Sequence, residues 1–382
     1  MKTYFNNIDK KLGFGFMRLP MLDEQIDTAQ VKQMVDQFMA NGFNYFDTAH
    51  GYHAGKSEAA IRECLTSRYL REQYILTNKL TEEYFHHENE IRPFFENQLK
   101  TCGVNYFDFY LMHAQNKEIY AKFQNKNAYS VVRELKREGK IRHFGISFHD
   151  RPEILEQILQ ENPDIEVVQI QFNYMDYNDP AIESRKCYDI CRKYSKPVIV
   201  MEPVRGGCLA NLPAEAMAVL DQLHHGTPAS YAIRFAAGFE GIIMVLSGMS
   251  TREQMQDNIH FMKNFKPLSK TERKAVFQVS RILRSKNLIP CTACRYCIQG
   301  CPKKISIPDL FACMNAKKTY HDWNCDFYYD TVYTNKNGKA SDCIRCGKCE
   351  DVCPQHLPVR NLLSQVAQKF DTQNRETEEY YH

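Results

Sequence analysis

The chain has 382 residues, enough for one large domain and a smaller one at roughly 100 to 200 residues per domain. Its 49 basic and 46 acidic side chains leave a formal charge of +3, so no strong overall field argues for nucleic acid, an anionic membrane or an acidic partner. With 43% hydrophobic and 25% charged residues, no apolar run of roughly 18 to 20 residues and no apolar core in Met1–Asn7, the composition is that of a globular protein expected to stay in the cytoplasm.

Up to about residue 265, short β-rich runs alternate with longer amphipathic helical stretches, the pattern of a parallel sheet with crossover helices. Eight strands are predicted: Leu12 to Phe16, Phe43 to Phe46, Tyr74 to Asn78, Phe107 to His113, Ile141 to Ser147, Val167 to Phe172, Pro197 to Met201 and Ile242 to Leu246. Between the first and second lies Thr28 to Ala40, with Val31, Met34, Val35 and Phe38 at helical spacing; between the second and third lies Ser57 to Ser67, with Ala60, Ile61, Cys64 and Leu65. Eight such units in about 250 residues suit a (β/α)8 barrel. No G-x-G-x-x-G opens a helix, and Gly13-Phe14-Gly15 inside the first strand reads as room for close backbone approach. A helix over Ser269 to Ser285 then leads to Ile289-Pro290, so the expected domains are 1–265, the barrel, and 266–382, a linker helix with a small module. The end, Asn374 to His382, reads as frayed or weakly docked.

Cysteine is the outlier, with 15 in all. In a chain without an export signal, metal ligation explains such clustering better than disulfides. Cys291, Cys294, Cys297 and Cys301-Pro302 form C-x2-C-x2-C-x3-C-P, and Cys343, Cys346, Cys349 and Cys353-Pro354 repeat it, which is the spacing of bacterial-type [4Fe-4S] ligation. Three thiolates two residues apart wrap three corners of a cubane, and the fourth Cys points away to the other cluster. One cluster is therefore assigned to Cys291, Cys294, Cys297 and Cys353, the other to Cys343, Cys346, Cys349 and Cys301. Two structural zinc sites are the competing reading, although zinc sites usually use separated C-x2-C pairs. The segment Lys303 to Asp342, with a helical stretch at Ile307 to Lys317, is longer than a compact two-cluster ferredoxin requires. Residues 290 to 358 therefore resemble the mainly helical ferredoxin-type modules attached to oxidoreductases, with Cys313 and Cys325 as packing residues.

Four polar residues stand at or just after predicted strand ends: Asp47 and Tyr52 after the second, Lys79 after the third and His113 at the end of the fourth. Singly, each has a plain reading: a helix cap, a loop aromatic, a solvated charge, a satisfied core histidine. Together and in this order, over residues 12 to 262, they resemble the tetrad of the aldo/keto reductase family, whose active site lies at the carboxyl ends of the barrel strands. That resemblance implies an oxidoreductase acting on a small-molecule carbonyl or its alcohol with NADP(H) or NAD(H). Tyr52 would be the general acid, Lys79 would lower its pKa, Asp47 would hold Lys79, and His113 would orient the carbonyl.

It also implies that Ser147 and Gln169 hold the nicotinamide carboxamide, although Phe148 stands where the family usually has Asn. The loops Glu202–Gly207 and Ser247–Gln254, with Asn258, lie where barrels bind phosphate, which adds Arg205, Gly206, Gly248, Ser250 and Arg252 as cofactor contacts. Arg205 and Arg252 are the main basic residues offered there, fewer than many NADPH-using members have. Phe14, Phe16, Tyr84, Phe148 and Trp323 are aromatic candidates for the pocket, or else core. Clusters pass single electrons and hydride moves as a pair, so the fusion also admits a flavin (FMN) converter and a ferredoxin or other electron carrier as partner. A barrel that only carries or senses electrons is the reading from another class.

Overall fold

A computed structural model describes residues 5, 8, 10–179, 182–224, 226–285, 288–320 and 324–371. Trp323 and Asn374 to His382 lie outside the described residues. Eight parallel strands close into a barrel: β1 (Leu12–Gly15), β2 (Tyr45–Asp47), β3 (Ile75–Leu80), β4 (Phe107–Gln115), β5 (Ile141–Phe148), β6 (Val167–Gln171), β7 (Val198–Met201) and β8 (Ile242–Ser247). Closure is direct, since β1 pairs with β8 on one side and β2 on the other. The expected (β/α)8 architecture is therefore present, with ends differing by a few residues. One element was not foreseen, a two-stranded ribbon Met21–Leu22/Gln25–Ile26 between β1 and helix α1 (Thr28–Ala40).

Side chains alternate across each strand, so residues two apart share the barrel interior. Tyr45, Ile75, Phe109, Leu111, Val167, Ile199, Met244 and Leu246 fill it as one apolar cluster, with Phe5 packed against Phe109 from below. Bulk on one strand requires its absence on the next. A Cβ on Gly13 would lie 2.7 Å from the Leu246 side chain and 3.0 Å from that of Tyr45, which is why β1 carries glycine there. The next inward positions toward the carboxyl ends are Asp47, Lys79, His113, Ser147 and Gln169, so the same alternation that packs the core lifts polar groups to the mouth. On the outer face, Phe14 and Phe16 pack with Phe38 of α1 and Phe46 and are fully buried, which makes them core and not pocket wall.

Contacts group Met1–Val204 with His225–Val276 in one compact unit and Arg205–His224 with Phe277–His382 in another. The division thus falls inside the helix Lys270–Ser285, and the segment following β7 belongs with the second unit. That unit is mainly helical. Its core joins Leu310 and Phe311 of Ile307–Tyr320 to Leu363, Val366 and Phe370 of Val359–Phe370, with Cys313 and Cys325 buried among them as packing residues. Among the described residues, no helix is long and apolar enough to cross a membrane.

Candidate active site and cluster loops

The expected tetrad converges at the carboxyl end of the barrel. Lys79 Nζ donates to Asp47 Oδ1 at 2.6 Å and to the Thr48 carbonyl at 2.8 Å, both side chains being almost wholly buried. It also sits over the Tyr52 ring, 4.9 Å from the centroid. The His113 ring meets Tyr52 edge-on at 6.1 Å, and its Nδ1 is 2.7 Å from Thr81 Oγ1. Tyr52 opens a short turn in which His53 and Ala54 adopt positive φ, and the Leu19 N–H donates to His53 Nε2 at 3.1 Å. The loop after β2 is thereby tied to the loop after β1.

Burial governs the charges here. It pushes Asp47 up and Lys79 down even though each attracts the other, and together with Lys79 and His149 it holds His113 well below the usual imidazole range. His113 is therefore neutral near pH 7. Tyr52 corrects the sequence expectation: its phenol is raised well above the usual value by burial and by the Asp47 and Glu202 carboxylates, with Arg18 opposing. Burial first, and then the two carboxylates, disfavour the phenolate, so the phenol stays protonated.

Two residues in that balance were not anticipated. Arg18 Nη2 pairs with Glu202 Oε1 at 3.0 Å, Arg18 following β1 and Glu202 following β7. Both follow strand ends, which is the signal that places them at the mouth; neither belongs to a recognisable motif. A third group lies beneath Lys79. Glu58, with no exposed surface, accepts from Asn78 Nδ2, Gln98 Nε2 and His50 Nδ1, each at 2.8 Å. Asn78 Oδ1 in turn accepts the Lys79 N–H, and Gln98 Nε2 donates to the Lys79 carbonyl at 3.1 Å. This network holds the backbone on both sides of the lysine.

Ser147 and Gln169 are register partners on β5 and β6; Ser147 Oγ accepts the Ala114 N–H at 2.8 Å, and Gln169 Nε2 reaches Asp47 Oδ2 at 3.5 Å. A hydroxyl and an amide thus stand side by side at the mouth, a donor set that fits a carboxamide. Around β8, Asn258 Nδ2 donates to Ser247 Oγ, Ser250 Oγ donates to the Arg18 carbonyl, and Arg252 Nη1 donates to Gln33 Oε1. Gly248 packs against the Arg18 side chain, 3.1 Å from where its Cβ would be. Arg205 and Gly206 group with the second unit, where a Cβ on Gly206 would come within 2.3 Å of the Thr292 carbonyl. Gly206 is glycine for that approach as well as for its φ of 63°. Of the remaining aromatic candidates, Phe148 is buried, while Tyr84 is exposed and stacks on Phe94 beside His50.

In the second unit, burial raises the Cys291 thiol, and Cys294 and Cys353 push it the same way; Cys297 is raised by burial and then by Cys294, Cys291, Cys353 and Cys349. Cys353 therefore stands with the first cysteine loop. Conversely, Cys301 lines a small cavity together with Cys343, Cys346 and Cys349. Both groupings follow the crossed pattern of the two motifs. Among the described residues, no group of three or more His, Cys, Asp or Glu side chains is arranged to hold a single metal ion. Four cysteines around a shared cavity fit an iron–sulfur cluster.

The aldo/keto reductase family model matches residues 11–281, most of the chain. The chain belongs to the aldo/keto reductase family. A 4Fe-4S dicluster domain matches residues 290–357. Among similar proteins, an NADH-specific methylglyoxal reductase of Escherichia coli is 26% identical over 262 residues, 57% of this chain and 78% of that protein. A glyoxal reductase of Bacillus subtilis is 24% identical over 207 residues, 54% and 69% of the two chains. Among solved structures, a thermostable aldo-keto reductase with epalrestat overlays at a TM-score of 0.57 with 22% identity, covering 70% of this chain and 94% of that one. An aldo-keto reductase of Klebsiella pneumoniae in complex with NADPH overlays at 0.55 with 17% identity, covering 71% and 90%. This family member is thus an oxidoreductase with an attached 4Fe-4S domain.

Proposed function

We propose that this aldo/keto reductase reduces small carbonyl compounds at the mouth of the barrel, and that its 4Fe-4S domain carries two clusters that exchange electrons with a carrier. The observation that carries the reading is the convergence of Asp47, Lys79 and His113, all buried, with half-buried Tyr52 at the strand ends. A bound nicotinamide supplies or accepts the hydride. Ser147 and Gln169 hold its carboxamide, with Gly248, Ser250, Arg252 and Asn258 around β8 as the further cofactor contacts.

The protein's part in the reaction is proton handling and orientation. Tyr52, kept protonated by its surroundings, gives its hydroxyl proton to the carbonyl oxygen as negative charge develops there. Lys79 lies against the ring face and offsets the negative charge left on the phenolate, and Asp47 fixes Lys79. Neutral His113, its Nδ1 hydrogen-bonded with the Thr81 hydroxyl, would in the tautomer protonated at Nε2 donate a hydrogen bond to the same oxygen, which selects the carbonyl's direction. The named substrates of the bacterial relatives, methylglyoxal and glyoxal, are small dicarbonyls and define the first compounds to assay.

The test is anaerobic purification with iron, sulfide and released flavin quantified, followed by NADH and NADPH oxidation with aldehydes and dicarbonyls. About eight iron and eight sulfide per chain are expected from two four-iron clusters. Tyr52→Phe is expected to lower kcat by about 10²- to 10⁴-fold with iron content unchanged. Turnover unaffected by that substitution would overturn the reading, and stoichiometric flavin would move the hydride carrier from nicotinamide to FMN.

A further inference from the structure

Near-neutral overall charge gave no reason to expect an acidic partner, but the charge is unevenly placed. Lys303 and Lys348 line the cavity shared by Cys301, Cys343, Cys346 and Cys349. The Gly338 N–H donates to the Lys304 carbonyl, and Gly338 pairs with Ile305 in a β-bridge, which sets Lys336 and Lys339 beside Lys303 and Lys304. Arg345 lies between two of the cysteines and reaches Asn361. All six of these basic residues are exposed. None of the five lysines forms an ion pair with a described residue.

Opposing charges are few. Glu350 is engaged with Arg360, and the two cancel. Asp342 accepts the Lys339 N–H, Asp371 accepts the Ser341 N–H, and Asp351 completes the acidic set. Six basic against three acidic groups leave 6 − 3 = +3, equal to the net charge of the entire 382-residue chain. In the middle of this face Cys346 is exposed and Ile344 shows 57% of its surface, an apolar spot directly over the cavity.

We infer that this face is the docking surface for an acidic, one-electron carrier protein that delivers electrons to the cluster held by Cys301, Cys343, Cys346 and Cys349. The inference rests on the reading of that cavity as a cluster site. A basic rim around an exposed apolar centre steers an acidic partner and then admits close contact where its own redox centre is nearest. The step moves one electron: the reduced carrier is oxidised, the cluster is reduced, and no bond forms or breaks. Carbonyl reduction at the barrel needs no such surface, which makes the patch a separate feature of the second unit.

The experiment uses anaerobically purified full-length protein, an acidic plant-type [2Fe–2S] ferredoxin as probe, and reduced methyl viologen as a small carrier without a docking surface. Binding is measured by titration calorimetry and cluster reduction by stopped-flow bleaching. Lys336→Glu/Lys339→Glu alters the patch, while Lys100→Glu/Lys117→Glu makes the same change in net charge on the barrel surface. In the wild type, affinity and reduction rate are expected to fall steeply between 50 and 500 mM salt. The patch variant is expected to lose about tenfold or more in both at low salt, the barrel variant less than twofold, and viologen reduction and iron content to stay unchanged in both. Absent binding of ferredoxin to the wild type, or equal losses in the two variants, would overturn the docking surface. Failure of viologen to bleach the wild type would instead overturn the cluster reading beneath it.

Discussion

Replacing Glu58 tests how the barrel holds its central lysine. The carboxylate is fully buried and accepts three side-chain hydrogen bonds, from Asn78, Gln98 and His50. Glu58→Ala removes the acceptor and leaves a void, depriving Asn78 and His50 of their carboxylate partner while Gln98 Nε2 keeps its bond to the Lys79 carbonyl. An unsatisfied buried polar group costs about 1–3 kcal/mol, and the half-exposed His50 recovers part of its share from water, so a loss of about 4 kcal/mol is expected. For a unit of this size, with roughly 2–4 °C per kcal/mol, the midpoint of thermal unfolding should drop by about 8–16 °C. Glu58→Gln keeps the shape and two acceptor bonds while turning an N–H₂ toward His50, so it should cost only about 1–2 kcal/mol. Because Asn78 and Gln98 also hold the Lys79 N–H and carbonyl, both variants should lower kcat more than they raise KM. Urea and thermal unfolding followed by circular dichroism give the stabilities. If Glu58→Ala lies within about 0.5 kcal/mol of wild type, as an ordinary surface substitution would, the network is not holding the strand.

Phe148→Asn restores an amide beside Ser147 and should lower KM for the nicotinamide up to about fivefold, the worth of one added hydrogen bond of roughly 1 kcal/mol; steady-state kinetics in which KM is unchanged or higher would show that position 148 does not face the cofactor. The crossed ligation predicts that Cys353→Ser spares the cluster of Cys343, Cys346 and Cys349, whereas Cys301→Ser removes it; low-temperature electron paramagnetic resonance of the two reduced variants should show complementary losses, and identical spectra would contradict the crossing. Burial holds the folded-state pKa of His113 far below that of an unfolded histidine, so below about pH 6.5 the unfolded chain binds the extra proton and stability falls with decreasing pH, by up to roughly 1.4 kcal/mol per pH unit. His113→Gln should flatten that limb of the stability profile, and an unchanged acid limb in this variant would assign the loss to other groups.

The fold was legible because the barrel repeats one simple signal eight times, and because inward positions such as Val167, Ile199 and Met244 are apolar for a reason that alternation exposes. The tetrad was legible because its members follow strand ends in the linear sequence. What stayed hidden depends on pairs that only closure of the barrel creates. Glu58, in a helix with exposed Glu63, reads as another surface carboxylate until Asn78 and Gln98, from β3 and the helix Glu88–Cys102, are brought over it. Arg18 and Glu202 lie 184 residues apart, and no local pattern pairs them. The direction of the Tyr52 shift is hidden for the same reason: sequence order shows which charges belong to the site, whereas the phenol responds first to burial and then to the nearness of Asp47 and Glu202. Gly206 looked like a phosphate-loop glycine and is shaped by Thr292, 86 residues later.

The coexistence of the two halves poses a counting constraint on any mechanism. Reduction of a carbonyl takes a hydride at carbon, which is two electrons with one proton, and a second proton at oxygen, whereas a 4Fe-4S cluster passes one electron at a time. A single carbonyl turnover coupled to the 4Fe-4S domain would therefore require two encounters with a one-electron carrier. This relation separates coupled from independent operation. If the halves are coupled, carbonyl reduction with reduced ferredoxin as the sole electron source and a catalytic amount of nicotinamide or FMN as the hydride carrier should consume two ferredoxins per product and stop when either Cys301 or Tyr52 is replaced. If they are independent, nicotinamide-driven reduction should survive Cys301→Ser at the wild-type rate. The tetrad favours neither outcome, because the proton delivery proposed for Tyr52 serves both; the electrons' route is decided by stoichiometry, and the two variants read it directly.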